Sequence, residues 1–213
     1  MTLQKTLAAG KWTITLATMM TISGCGAFKT KNKGEKAKEN DKALTGEWKD
    51  GCIKGDWLGL THEQADYKFS ALGDFDHKTT LYRDDACKAA DVTLAEHGTY
   101  ASLGTSASVP NATDINFTVT KAEVTPQSDD AAKLLNDASY CGITAWQKGH
   151  AEDVVGKSCL GKDHAKGEVS FDVYRIDNDG RRLTLGKDSL FLGKSDAGSR
   201  PGKLDDSRIF DKQ

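Results

Sequence analysis

The side chains that could carry out acid–base or nucleophilic chemistry are few and dispersed along the sequence. Residues 156–161 come nearest to a Gly-x-Ser-x-Gly nucleophile elbow, but their spacing is wrong. The sequence also lacks Ser-x-x-Lys, a phosphate-binding P-loop and His-Glu-x-x-His. We therefore predict a protein that is not an enzyme and that has no catalytic residue and no cofactor.

The histidines leave alternatives open. His62 and Glu63 could pair with groups around Asp56 and Trp57 in a loop. His77 and His97 lie on strands that could be neighbours, where they could face inward as ligand contacts or outward into solvent. A hydrolase whose active groups come from distant loops is a third, less favoured interpretation.

A metal site is not expected. Residues 177–180 are similar to part of a calcium loop, but Arg175 occupies the position of the first acidic ligand. We interpret these residues as a hairpin turn. The cysteines lack Cys-x-x-Cys spacing, and no histidine is close in sequence to Cys52 or Cys87, which argues against zinc.

Residues 1–24 have the layout of a secretory signal. Lys5 and Lys11 accompany a short apolar run at residues 12–22, and the segment contains no acidic residue. The run is shorter than the about 20 apolar residues that a membrane span requires. We therefore predict that residues 1–24 are a signal peptide.

The end of this segment, Ile22-Ser23-Gly24-Cys25, resembles the lipobox of bacterial lipoproteins. The resemblance implies cleavage before Cys25, transfer of a diacylglyceryl group to its thiol and acylation of the freed amine, for example by palmitate. Gly26 in the next position favours the outer membrane. Several acyl chains would make release from the membrane negligible.

Two further segments follow the signal. Residues 25–43 contain the lipidated cysteine and a lysine-rich run with little apolar surface to bury, which predicts a flexible tether. Residues 44–213 form the predicted domain. With 29 basic and 31 acidic residues the chain lacks the strongly basic field of a nucleic-acid-binding protein, so no nucleic-acid partner is expected.

The predicted domain is mainly β. Apolar and polar residues alternate in short runs separated by Gly, Asp and Asn, which is typical of an antiparallel barrel or sandwich. The apolar phase shifts near Thr120 and Lys121, which predicts a β-bulge. The runs lie at residues 45–49, 67–71, 75–83, 92–100, 115–124, 169–173, 183–185, 190–192 and 208–210.

One segment breaks this alternation. Ser128 or Asp129 can cap a helix with an apolar face formed by Ala131, Leu134, Leu135 and Ala138. A second helix is expected over residues 145–155, with Gly156 as its end. Residues 128–160 are therefore predicted to be a helical hairpin inserted between strands.

Four cysteines remain once Cys25 is set aside, and an exported compartment is oxidising, so two disulfides are expected. Three pairings are possible. We favour Cys52–Cys87, which would join the end of the first strand to a later turn. Cys141–Cys159 would then hold the insertion at its base.

The domain resembles lipocalins and related calycins. Gly46-Glu47-Trp48 matches their Gly-x-Trp entry motif, which implies an up-and-down β-barrel closed by Trp48 and covered by an arginine, here Arg200 or Arg208. Residues 138–146 and 200–213 are similar to lipocalin-like bacterial lipoproteins. The chain departs from true lipocalins in its inserted segment and in lacking a Thr-Asp-Tyr motif.

These features lead to a functional expectation. The sequence predicts an outer-membrane-anchored lipoprotein with a non-enzymatic binding or envelope-surface role and a small apolar or amphipathic ligand. That ligand class comes from fold analogy. The alternative is a protein-interaction module, in which the insertion docks an envelope partner or inhibits an enzyme.

Overall fold

The structure is a computed structural model that describes residues 41–159, 162–163, 166–177, 179–187 and 196–213. The predicted signal peptide, Cys25 and the tether up to residue 40 lie outside the described residues. The run at residues 190–192 and His164 lie outside them as well.

The described part of the chain is mainly β, as the alternation predicted. Most strands carry apolar residues at every second position, so that one face can be buried while the other stays in solvent. The strands are β1 (Gly46–Lys49), β2 (Ile53–Trp57), β3 (Leu60–Phe69), β4 (Asp74–Tyr82), β5 (Ala90–Thr105), β6 (Thr113–Pro126), β7 (Glu152–Asp153), β8 (Ser158–Cys159), β9 (Lys162–Asp163), β10 (Val169–Ile176), β11 (Arg182–Gly186) and β12 (Leu204–Lys212).

Eight of these strands close into an antiparallel barrel. The ring runs β1, β3, β4, β5, β6, β10, β11, β12 and returns to β1. Strand β12, which contains the predicted run at residues 208–210, pairs with β11 on one side and with β1 on the other. Strand β2 pairs with the first part of β3 and extends the wall at one end.

One end of the barrel is filled by side chains, and we call it the closed end. Leu44, Trp48, Phe69, Phe75 and Phe117 are essentially inaccessible to solvent there. The Trp48 indole donates a hydrogen bond to the Leu44 carbonyl at 2.7 Å, so its polar group is satisfied within the core.

The predicted arginine over Trp48 is wrong, because Lys212 is the cation on that ring. Its Nζ lies 4.9 Å from the ring centroid and donates to the Ala43 carbonyl. Lys212 reaches the ring because it pairs directly with Trp48 in the β1–β12 register. Arg208 instead lies over Phe210, and Arg200 lies over Phe171 on the outer wall.

The predicted bulge is confirmed. His97 pairs with Lys121 and Gly98 pairs with Val119, so Thr120 is the extra residue on β6. A β-carbon at Gly98 would lie 2.0 Å from the Thr118 carbonyl oxygen and 2.9 Å from Phe75. Glycine is therefore needed at this close approach of the β5 and β6 backbones.

The predicted helical hairpin is half wrong. The first helix is α1 (Asp129–Asp137), and Ser128 caps it by accepting a hydrogen bond from the Ala131 amide. The second helix is missing from residues 145–155, since residues 152–153 pair with β6 as strand β7. Strand β10 covers β6 only as far as Thr118, and an extended segment supplies part of the pairing that β6 then lacks.

Two disulfides join Cys52 to Cys87 and Cys141 to Cys159, which is the pairing favoured from the sequence. Cys87 lies in the loop between β4 and β5, while Cys141 and Cys159 bracket the segment after α1. Among the described residues, no helix has the length and apolar character needed to cross a bilayer.

Candidate functional site

A cavity of about 420 Å³ occupies the other end of the barrel, which we call the cavity end. Its lining mixes apolar and polar side chains on β2, β3, β4, β5, β11 and β12. The apolar and aromatic members are Trp57, Tyr67, Leu81, Leu94, Leu185 and Phe210. The polar members are Asp56, Glu63, His77, Thr79, Asp205 and Arg208.

Arg208 is the central charged group of this cavity. Its Nε donates to Asp50 Oδ2 at 2.7 Å, and its Nη1 donates to Glu63 Oε1 at 2.6 Å. The remaining nitrogen, Nη2, is buried and has no hydrogen-bond partner among the described residues. The guanidinium lies 5.5 Å from the centroid of the Phe210 ring, two residues away on the same strand.

Asp50 holds the Arg208 guanidinium in place through a hydrogen-bonded ion pair. Its Oδ1 accepts a hydrogen bond from the Ala65 amide at 2.6 Å, and the residue is buried. Burial raises the pKa of the Asp50 carboxyl, and the opposing effects of Arg208 and the Ala65 amide only partly offset it. The Arg208 position is therefore set by a buried carboxylate that is itself held by β3.

A second polar group lies deeper in the barrel. His77 Nδ1 is 3.0 Å from Glu96 Oε2, and His77 Nε2 is 3.1 Å from the Thr79 hydroxyl. All three side chains are buried. The Tyr67 ring stacks on the imidazole with ring centroids 4.2 Å apart. Burial is the main reason why the pKa of Tyr67 is raised, so its phenol stays protonated.

The linear order of hydroxyl, imidazole and carboxylate has a chemical meaning. With the proton on Nδ1 held by Glu96, Nε2 can accept a proton from the Thr79 hydroxyl. The same chain can also serve as a satisfied polar wall that donates to or accepts from a ligand. Each member of this chain has a hydrogen-bond partner inside the protein.

The segment after α1 packs against this end of the barrel. The Tyr140 and Trp57 rings meet edge to face at 5.0 Å. Trp146 is held by Asn136, which accepts from its amide and donates to its carbonyl. Burial raises the pKa of Tyr140 to about 12. The insertion thus contributes an aromatic contact to Trp57, a residue of the cavity wall.

The histidines considered from the sequence are separated by the barrel wall. His77 points inward, whereas His97 lies on the outer face with its Nδ1 hydrogen-bonded to Asp76. His62 neighbours Glu63 on β3, and adjacent strand residues point to opposite faces. The structure therefore places Glu63 and His77, but not His97, beside the cavity.

Sequence reasoning missed Arg208 as a cavity residue and did not consider Asp50, Thr79 or Glu96. One signal could have found the strand residues, because each stands in the apolar phase of its strand. Thr79 is in phase with Leu81, Glu96 with Leu94, and Arg208 with Phe210. Polar side chains in core positions are expected at functional sites.

Comparison with protein-family models found no match, and comparison with curated proteins found no significant match. Within the described ranges, no group of three or more His, Cys, Asp or Glu side chains could hold a metal ion.

Proposed function

We propose that this protein is a non-enzymatic binding protein that takes a small amphipathic molecule into its barrel. The observation that carries this proposal is the cavity of about 420 Å³ inside a closed barrel, which is lined by both apolar and polar side chains. Ligand cavities range from about 300 to 1,000 Å³ and combine apolar walls with a few placed polar groups. The mixed lining favours an amphipathic ligand over a purely apolar one.

The alternative role as a protein-docking module has less support. Docking sites expose contiguous apolar surface. Among the described residues of the insertion no large apolar side chain is exposed. The exposed ones elsewhere in the described chain are Leu72, Leu103 and Ile209, which lie on a turn and on two different strands.

We further propose that the barrel is anchored to the outer membrane through acyl groups on Cys25. The support is the sequence Ile22-Ser23-Gly24-Cys25 with Gly26 after it. The test is detergent phase partitioning of the expressed protein and of Cys25→Ala. The native protein should enter the detergent phase and the variant the aqueous phase, and equal partitioning would exclude a lipid anchor at this cysteine.

The binding proposal is tested by filling the cavity. Leu94→Trp places a larger side chain into the lining, and Leu72→Trp makes the same change on a turn where Leu72 is 91% exposed. We expect Leu94→Trp to weaken binding of an environment-sensitive dye at least tenfold, with no change for the control. Equal dye binding by both variants would mean that the ligand does not occupy the barrel.

A second candidate function is ester hydrolysis, favoured by the chain of Thr79, His77 and Glu96. The Thr79 hydroxyl would act as nucleophile and His77 as general base. Thr79→Val keeps the shape and removes the hydroxyl. If the protein hydrolyses p-nitrophenyl butyrate and this variant does not, the enzyme interpretation replaces the binding one. Equal, background rates would exclude it.

A further inference from the structure

The charged residues that line the cavity of about 420 Å³ are mostly acidic. Apart from His77, the charged members of the described lining are Asp56, Glu63, Asp205 and Arg208. None of the three acidic residues is fully buried, since Glu63 and Asp205 are half-buried and Asp56 is exposed. The cavity therefore presents more negative than positive charge to a molecule that enters it.

The positive charge of Arg208 is already balanced inside the protein. Its Nε donates to Asp50 Oδ2 at 2.7 Å, and its Nη1 donates to Glu63 Oε1 at 2.6 Å. Glu63 alone would neutralise the guanidinium, and Asp50 adds a second carboxylate to the same cation. Asp56 and Asp205 are thus left in excess on the cavity wall.

Other charged groups near the cavity do not reverse this excess. His77 Nδ1 lies 3.0 Å from Glu96 Oε2, so a protonated His77 would only balance Glu96. Residues 188–195 lie outside the described part of the chain, and their sequence holds one aspartate and one lysine, which bring no net charge. The lysines next to the lining segments are exposed and do not line the cavity: Lys54, Lys187 and Lys203.

Gly55 leaves room for the Glu63 carboxylate at the cavity wall. A β-carbon at Gly55 would lie 2.9 Å from Glu63 Oε2 and 3.3 Å from its Cδ. Gly55 is not among the glycines with a positive φ, so its backbone conformation does not require glycine. The missing side chain instead lets the carboxylate of β3 lie against the backbone of β2, beside the cavity.

We propose that the ligand of this cavity is a cationic amphiphile, with an alkylammonium group near Glu63 and an apolar chain against Leu81, Leu94 and Phe210. This inference rests on the proposed binding function. A cation gains Coulomb attraction from the excess carboxylates in a partly desolvated site, whereas an anion of the same shape would be repelled. The Trp57 ring in the same wall also suits an ammonium group, because aromatic faces attract cations.

Decylamine, decanol and decanoate test the charge of the ligand, because they share a chain length and are cationic, neutral and anionic at neutral pH. Each is used below its micelle concentration to displace the uncharged dye N-phenyl-1-naphthylamine from full-length Cys25→Ala, which removes the proposed lipid attachment and the need for detergent. We expect decylamine to act at a concentration at least tenfold lower than decanoate, with decanol between them. Added salt should narrow the difference.

One pair of variants assigns this preference to the cavity. Glu63→Gln removes one lining charge and should lower the preference for decylamine over decanol at least threefold. Glu47→Gln is the control, because it changes the net charge equally at an exposed residue that pairs with Lys68 and does not line the cavity. An equal fall in both variants would show that the charge of the whole protein decides, and would overturn the inference.

Asp56→Asn keeps the test available where Glu63→Gln does not fold, because Asp56 is exposed and lines the cavity. It should also lower the preference for decylamine, and an unchanged preference would count against the proposal. Leu94→Trp should abolish the preference by filling the cavity. A preference that survives in Leu94→Trp would place the cation outside the barrel.

The outcomes distinguish the two proposals. If decanol displaces the dye and decylamine does so no better, the inference about charge is wrong while the binding function stands. If the dye does not bind and none of the three compounds binds, the binding function itself fails. Stronger displacement by decanoate than by decylamine would show that Arg208, and not the acidic residues, determines the ligand.

Discussion

The two ends of the barrel are built in opposite ways. The closed end is filled by aromatic and aliphatic side chains, and the Trp48 indole finds its hydrogen-bond acceptor within the core. The cavity end keeps about 420 Å³ free, places Asp50 and the His77–Glu96 pair in buried positions, and leaves Arg208 partly exposed. Both disulfides lie at the cavity end, around the β4–β5 loop and the insertion.

This difference separates stability from function. Filling the closed end gains the full benefit of burying apolar surface. An unfilled interior with buried charges gives up part of that benefit, because desolvating ions is costly even when they are paired. Covalent links at the cavity end stabilise by restricting the unfolded chain, and they do so without occupying the cavity.

The largest expected effect is at the closed end. Trp48→Ala removes a side chain with no exposed surface and should lower the free energy of unfolding by about 3–5 kcal/mol. Trp57→Ala, at the partly exposed cavity wall, should cost less than half as much. Urea unfolding of both variants measures the contrast, and equal losses would contradict the division into a packed and an unpacked end.

The next effect concerns the insertion at the cavity end. Replacing Cys141 and Cys159 by serine opens a link with a sequence separation of 18, which is worth about 3 kcal/mol in the chain-entropy model. Hydrogen exchange should accelerate in α1 and β7 while the amides around Trp48 stay protected. Uniform acceleration over the whole barrel would show that the two ends do not open separately.

A smaller loss of stability is expected where a side chain is added between the closely spaced β5 and β6 backbones. Gly98→Ala forces β5 away from the Thr118 carbonyl and should destabilise by about 1–3 kcal/mol. Gly51→Ala is the control, since a β-carbon there would have no atom of the described residues within 4 Å. Thermal unfolding compares the two, and a neutral Gly98→Ala would mean that the bulge can relax at no cost.

The smallest effect is a pH dependence at the cavity end. Because burial raises the pKa of Asp50 above its ordinary value of 3.8, the native protein keeps this proton where the unfolded chain has lost it. The Asp50 contribution to unfolding free energy therefore falls as pH rises from 3.8 to the raised pKa and is constant above it.

Asp50→Asn removes this titration and provides the reference. The unfolding free energy of the native protein minus that of Asp50→Asn should decrease as pH rises through this interval, as measured by urea unfolding at several pH values. A difference that grows with pH would show that attraction to Arg208 outweighs burial.

Short-range sequence patterns predicted most strands of the barrel but not the side chains that meet inside it. Alternation located most strands, the phase shift located the bulge at Thr120, and Ser128 capped α1 as expected. Residues 145–155 were wrongly predicted to be helical, because their pairing with β6 depends on where β10 ends. The lipidation of Cys25 stays a prediction.

The cavity depended on distant partners. Arg208 binds two carboxylates that are far away in the sequence. Asp50 lies 158 positions before it, and Glu63 lies 145 positions before it. No local pattern specifies which carboxylate meets which cation across a barrel. The arginine expected over Trp48 came from the resemblance to lipocalins, and this chain places Lys212 there instead. The meeting of carboxylate and cation follows from strand order and register.

By itself, the sequence determined the strand-rich character, the placement of most strands, the capped helix and the even set of cysteines after Cys25. These depend on side-chain periodicity, capping and counting, which operate over a few residues. Only the tertiary structure decided that one end is filled and the other hollow, and that Arg208 meets Asp50 and Glu63. Such features depend on how eight closed strands share their interior, which is a property of the whole barrel.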